Sequence, residues 1–192
     1  FLYNTLNSIQ WIAKIHKVPD ISEMLTNLIK LLRTSLDSAN HLHTLEQELE
    51  VLNYYLKIQK HRYSNRFQIN YFIEKRFLSV SIPRFTLQPL VENIFFHAFT
   101  DGQGTIQIKT IADGDTLIIA VEDDGRGMPQ ETVEKLLKKQ HTKEEKTSSG
   151  IGLHNVDEKI KLYFGSSYGI DIKSELGKGT TIFVRLPIHF EK

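Results

Sequence analysis

Not one glycine occurs between Phe1 and Thr100. Turns, bulges and close backbone approaches call on glycine, so a run this long without it suits long helices. The apolar spacing agrees. Leu2, Leu6, Ile9 and Ala13 recur on one helical face, and a turn is expected at Pro19-Asp20. Ile21, Leu25, Leu28, Leu32 and Leu36 then mark a second amphipathic helix. A break is expected over 40–43. Thr44 with Gln47 reads as a capping box ahead of a third helix carried by Leu45, Leu49, Leu52 and Leu56. Leucines at steps of three and four suit a helical bundle shared between two chains better than a helical unit folded on itself.

Near Asn65 the pattern changes. Alternation predicts a strand over 67–74, and 83–99 reads as a helix broken near Pro89. Strands are expected at 105–112 and 116–122, joined at Asp113-Gly114, a strong hairpin signal. Residues 125–149 are polar and rich in lysine, a segment expected to be mobile without ligand and to close as a lid. A helix over 151–164 and strands at 169–176 and 180–188 complete the chain. Helices intermixed with antiparallel hairpins predict an α+β two-layer sandwich. The expected division is a helical region over 1–65 and a second domain over 66–192.

Composition narrows the function. The 192 residues are 40% hydrophobic and 24% charged, the balance of a soluble globular chain. A net charge of +1 removes the general electrostatic case for nucleic acid. With no cysteine, a disulfide scaffold, a Cys-ligated zinc and a thiol nucleophile are excluded. No apolar stretch is long enough to span a bilayer. The chain opens at Phe1, without Met and inside a helical pattern, and reads as a piece of a longer protein.

Four segments have chemical potential. In Leu87-Gln88-Pro89-Leu90-Val91-Glu92-Asn93-Ile94-Phe95-Phe96-His97, Asn93 and His97 lie one helical turn apart. An amide oxygen can ligand Mg²⁺, and an imidazole can meet a phosphate. In Glu122-Asp123-Asp124-Gly125-Arg126-Gly127, a carboxylate ends a strand ahead of two glycines. Such a carboxylate can accept a hydrogen bond from an exocyclic amine, while Gly125 and Gly127 let the backbone approach a flat ligand. Gly150, Gly152 and Leu153 open a helix, where free N–H groups and the helix dipole favour phosphate. Gly177-Lys178-Gly179-Thr180 links two strands. A P-loop is absent because Lys178 is followed by Gly179. No Rossmann fingerprint and no His-Glu-x-x-His zinc motif is present.

In this order the four segments resemble the N box and three G boxes of the GHKL superfamily of ATP-binding domains. Within it, Phe1-Leu2-Tyr3-Asn4-Thr5-Leu6-Asn7, Leu87 to Asn93, and Gly150-Ile151-Gly152-Leu153-His154-Asn155-Val156 look like the LytS/YehU type of bacterial sensor histidine kinase. The resemblance implies a helical dimerisation bundle followed by a Bergerat-type α/β sandwich that binds ATP and Mg²⁺. It implies Asn93 as the Mg²⁺ ligand, Asp123 on the adenine amine, and Gly125 and Gly127 around the adenine. Gly150 and Gly152 would wrap the phosphates, with Leu153 beside them. Thr180 would support the adenine end, and His97 a phosphate. Further implications are a homodimer and a response-regulator receiver domain as partners, no nucleic acid, and a cytoplasmic domain of a membrane-anchored parent. The family's phosphoacceptor histidine would directly precede Phe1. His16, His41, His43 and His61 are not at that place.

Two other functions share the superfamily. Gyrase- and Hsp90-type ATPases place a water-activating Glu four residues before the box Asn. Here that residue is Pro89, which cannot act as a base, and Glu92 should point from another helix face. A non-catalytic nucleotide-sensing dimerisation module is the other alternative, and the intact Asn93, Asp123 and glycine pairs count against it.

Overall fold

The computed structural model describes residues 1–36, 41–99, 101–138 and 151–190. Helices α1 (Leu2–Ile15) and α2 (Pro19–Leu36) form a hairpin, and α2 packs in turn on α3 (Leu45–Arg62). Pro19 is the first residue of α2, where the missing N–H would be unbonded anyway. The capping box ahead of α3 is present. Thr44 Oγ1 accepts from the Gln47 N–H at 3.2 Å, and Gln47 Oε1 accepts from the Thr44 N–H at 2.9 Å.

The helices are interrupted at 41–43 as expected, and the interruption holds a strand; residue 40 lies outside the described residues. Strand β1 (Leu42–Thr44) pairs antiparallel with β3 (Ser81–Pro83). Three residues are too few to show a period, so alternation could not reveal either strand. Between them lies β2 (Phe67–Phe72).

Helix α4 (Leu87–Asn93) also differs from expectation. Pro89 is its third residue, within the turn that has no intrahelical acceptors, and it breaks nothing. The irregularity comes later, where Ile94–Ala98 widens into a π-helix. Such widenings concentrate at functional sites. Strands β4 (Gly104–Asp113) and β5 (Thr116–Asp123) form the expected hairpin, with Asp113 opposite Thr116. Helices α5 (Gln130–Lys138) and α6 (Ile151–Phe164) and strands β6 (Gly169–Glu175) and β7 (Gly179–Pro187) follow.

The main sheet runs β2-β4-β5-β7-β6. Its β2–β4 pair is parallel and the rest are antiparallel. Helices cover one face, as an α+β sandwich requires. Leu90 and Val91 of α4 and Ile160 of α6 meet Ile106, Ile119 and Val184 of the sheet in one apolar cluster. Leu45, Leu52 and Leu56 of α3 belong to the same cluster. Full burial of a side chain of this size contributes about 1.5–3 kcal/mol. Helix α1 is different. Ala13 is buried, but Leu2 and Ile9 of the expected inner stripe are exposed, as are Trp11, Ile12 and Ile15.

Candidate functional site

The pleat of the sheet sets one wall of a cleft. Alternate residues of a strand face the same way, so Asp123 of β5, Thr180 and Ile182 of β7, and Ile172 of β6 all face the helical layer. Asp123 and Thr180 are register partners across neighbouring strands. Helix α4 and its π extension supply the opposite wall through Asn93, Ile94, His97 and Ala98. Leu153 of α6, and Thr132 and Leu136 of α5, line the rest. The cavity is about 240 Å³. Clefts that take drug-sized ligands whole run to about 300–1,000 Å³, so the described residues line a cavity somewhat smaller than that range.

Asp123 has the unusual electrostatics. Only 6% exposed, its carboxylate is pushed up to about 6, chiefly because burial penalises the charge. Backbone N–H groups of Gly125 and Thr180 pull the other way, and the nearby Asp124 and Glu122 charges add to the rise. The Gly125 N–H donates to Asp123 Oδ1 at 2.9 Å. Ser174 ties the neighbouring turns together. Its hydroxyl accepts from the Met128 N–H at 2.8 Å, donates to the Gly179 carbonyl at 3.0 Å, and stands 2.8 Å from Thr180 Oγ1.

Asn93 is fixed by its own helix. Its Nδ2 donates to the Pro89 carbonyl at 2.6 Å, which leaves Oδ1 as the acceptor end. Gly152 lies alongside; a Cβ there would stand 3.9 Å from Asn93 Nδ2. Burial holds His97 below its ordinary pKa, and the Arg126 charge adds to the effect. The Arg126 N–H donates to the Ala98 carbonyl at 3.2 Å, binding the turn after β5 to the π segment. Glu92 accepts from Gln88 Nε2 at 2.8 Å and is not among the residues lining the cleft.

Of the residues singled out in the sequence, Asn93, His97, Asp123, Gly127, Leu153 and Thr180 line one cavity, with Gly125 and Gly152 directly beside it. Gly150 lies outside the described residues, as does the lysine-rich segment 139–149. Residues 130–138 of the expected lid form α5, whose Val133 is buried in the core. Arg126, Met128, Ile172, Ser174 and Ile182 were not foreseen. Arg126 and Met128 flank a glycine already noted, but the β6 and β7 residues needed the strand register.

Comparison with known proteins bears on the whole chain. A family profile described as histidine kinase matches residues 1–67. Another, described as histidine kinase-, DNA gyrase B- and HSP90-like ATPase, matches residues 82–189. Sensor histidine kinase YesM of Bacillus subtilis is 35% identical, across 100% of this chain and 32% of YesM. Sensor histidine kinase/phosphatase LytS of Staphylococcus aureus is 32% identical, across 97% of this chain and 32% of LytS. The chain thus spans about a third of the length of the curated relatives it matches. Among solved structures, the catalytic domain of histidine kinase ThkA superposes with a TM-score of 0.59 at 14% identity, over 77% of this chain and 94% of that one. The histidine kinase domain of a blue-light activated kinase from Erythrobacter litoralis gives 0.54 at 17% identity, over 88% and 75%. These structures share the fold.

Proposed function

The chain belongs to the histidine kinase-, DNA gyrase B- and HSP90-like ATPase family, in its sensor histidine kinase branch, and from that premise we propose that it binds Mg²⁺-ATP and transfers the γ-phosphoryl group to a histidine. The observation that carries this reading is the buried Asp123 carboxylate facing Asn93 and His97 across one cleft. A carboxylate can accept more bonds than the Gly125 and Thr180 N–H groups supply, and the adenine exocyclic amine is a further donor that suits it. Met128, Ile172 and Ile182 supply apolar contact for the ring faces. Asn93 Oδ1 offers one hard oxygen. Among the described residues no group of three acidic or histidine side chains could hold an ion by itself. That donor set fits Mg²⁺ carried in by the triphosphate, since this ion keeps waters and phosphate oxygens and takes few protein ligands. When bound, it supplies charge neutralisation on the phosphates.

This chain's own residues do the positioning. Asp123 and Thr180 orient the adenine end, and Asn93 sets the direction of the triphosphate. The N-terminus of α6, with Gly152 in its first turn, offers backbone N–H groups to the phosphates, and His97 adds a donor. An acceptor imidazole nitrogen forms its bond to the γ-phosphorus as the bond to the ADP oxygen breaks, so ADP leaves with that electron pair. A neutral imidazole has the required lone pair near pH 7, and no general base is needed. Pro89 in place of a carboxylate, and Glu92 bonded to Gln88, favour transfer over hydrolysis.

Residues 1–65 serve dimerisation and phosphotransfer in this reading, and residues 66–192 bind ATP. The phosphoacceptor in this reading is a histidine, and the phosphoryl group passes on to an aspartate of a response-regulator receiver domain. The partner is a second copy of the chain. Among the described residues no helix is long and apolar enough to cross a membrane. We place this region as the cytoplasmic part of a membrane-anchored sensor. The test is incubation with γ-labelled ATP of a chain bearing a histidine before Phe1 and of its His→Ala counterpart. Acid-labile, base-stable label confined to the first supports the kinase. Steady phosphate release from both would instead support an ATPase, and binding without turnover a nucleotide sensor.

A further inference from the structure

Helix α4 carries Asn93, yet its N-terminus is not capped by its own residues. Thr86, at the cap position, makes no side-chain bond to the helix, and its hydroxyl donates instead to the Pro83 carbonyl at 2.6 Å. The acceptors come from α3. Glu48, 2% exposed, takes the Phe85 N–H on Oε1 at 2.9 Å, and the Thr86 and Leu87 N–H groups on Oε2 at 2.9 and 3.3 Å. His43 Nδ1 lies 3.1 Å from Oε1 and completes the surroundings of the carboxylate. The helix start is therefore anchored by a residue almost forty positions away in the chain. A carboxylate at a helix N-terminus also offsets the positive end of the dipole.

The loop ahead of α4 has further ties. Phe85 sits at φ +57°, a conformation that a bulky residue keeps only where its surroundings impose it. Arg84 Nη2 donates to the Thr34 carbonyl of α2, and the Arg84 carbonyl accepts from Lys159 Nζ of α6 at 3.0 Å. Residues 84–87 are thus fastened to α2, α3 and α6 at once.

We propose that Glu48 is a positioning residue for the Mg²⁺-nucleotide site: by clamping the start of α4 to α3 it sets where Asn93 stands, and with Arg84 it makes that placement depend on the helical hairpin. The proposal rests on the reading of Asn93 as the metal ligand. Buried N–H groups whose acceptor is removed lose their bonding, and the helix start frays or shifts. The displacement travels along one short rigid helix to Asn93.

The test uses Glu48→Gln, which keeps the shape but loses the charge and one acceptor oxygen. Two readouts are taken: amide exchange of the free protein, and affinity for ATP with and without Mg²⁺ alongside affinity for adenosine. The expected result is exchange faster by about tenfold or more over 85–93, the size expected for a lost charged hydrogen bond, with β4 and β5 unchanged. The gain in ATP affinity from Mg²⁺ falls by a similar factor while adenosine binding is retained. Glu48→Gln combined with Asn93→Ala should bind Mg²⁺-ATP no more weakly than Asn93→Ala alone. Glu48→Asp, which withdraws the carboxylate by one methylene, should fall between and covers the case in which Glu48→Gln does not fold. Exchange that rises evenly through the protein, or an unchanged Mg²⁺ gain beside loosened α4 amides, would leave Glu48 a merely structural residue and overturn the proposal. If Asn93→Ala itself leaves the Mg²⁺ gain intact, the assignment of Asn93 fails, and exchange over 85–93 then decides alone whether Glu48 anchors α4.

Discussion

Asp123, the proposed partner of the adenine amine, works against the fold that contains it. Its carboxyl is raised from an ordinary 3.8 to about 6 by burial. A raised acid means that the folded state holds its proton more tightly than the unfolded state. The charge therefore opposes folding above about pH 6, and that penalty fades as pH falls toward the unfolded value. An amine donated by a ligand favours the charged form, so binding should expel the residual proton. Adenosine, which has no phosphate to disturb His97, isolates the effect. Calorimetry in two buffers of different ionisation enthalpy should show proton release at pH 6 and almost none at pH 8. Asp123→Asn should abolish the release and weaken adenosine by about 1–3 kcal/mol, the effect of a lost buried hydrogen bond. Unchanged affinity in that variant removes Asp123 from the site. The sequence already exposed Asp123 and Asn93, because chemical type and spacing from glycine suffice to mark them. Glu48 and Ser174 were illegible: each acts on a backbone far away in the chain, and only tertiary contact reveals that.

At the scale of elements, the turn between β5 and α5 and the β4–β5 hairpin hold two kinds of glycine. Gly127 has φ +61°, and a Cβ there would meet the Glu175 carbonyl oxygen at 2.0 Å, a backbone atom that cannot swing aside. Gly114, in the β4–β5 hairpin, has φ +58° with nothing within 4 Å. Alanine at either position incurs the left-handed backbone penalty, about 1–2 kcal/mol. Only Gly127→Ala adds steric strain, typically about 1–3 kcal/mol, and it also pushes against the cleft wall. Thermal melts should show Gly127→Ala clearly less stable than Gly114→Ala, with adenosine binding impaired in the first alone. Equal melting temperatures would mean that the β6 edge yields freely. The same contrast explains which elements could be read in advance. The β4–β5 hairpin carried its signal locally, in an Asp-Gly between alternating runs. The β1–β3 pair is too short for a period, and the π widening after Asn93, where Ile94 and Phe95 are buried, carries no local sequence signal. Pro89 misled because a proline near a helix start is harmless.

The whole molecule leaves one face unfinished. Ile9, Trp11, Ile12 and Ile15 of α1, Val18 in the turn, and Ile21, Leu28 and Leu36 of α2 are all exposed, although α1 and α2 already pack on each other. Scattered exposed leucines mean little, but this many on one hairpin is more than a soluble single chain usually leaves open. The proposed occupant is a second copy, whose hairpin would complete a bundle. A stable pairing requires about 1,200–2,000 Å² of total buried surface, within reach of two such hairpins. Leu28→Asp would put an unpaired carboxylate into that seam at a loss of several kcal/mol, while the partly exposed position spares the single chain. The only tryptophan of the chain, Trp11, reports on the same event. It is 66% exposed in the isolated chain, so association should bury it and shift its emission to the blue, and dilution should reverse the shift. Sedimentation should give a dimer for the unsubstituted chain and a folded monomer for Leu28→Asp, with red-shifted emission at every concentration in the variant. A monomer with concentration-independent emission from the unsubstituted chain would remove the bundle and leave the hairpin face to another partner.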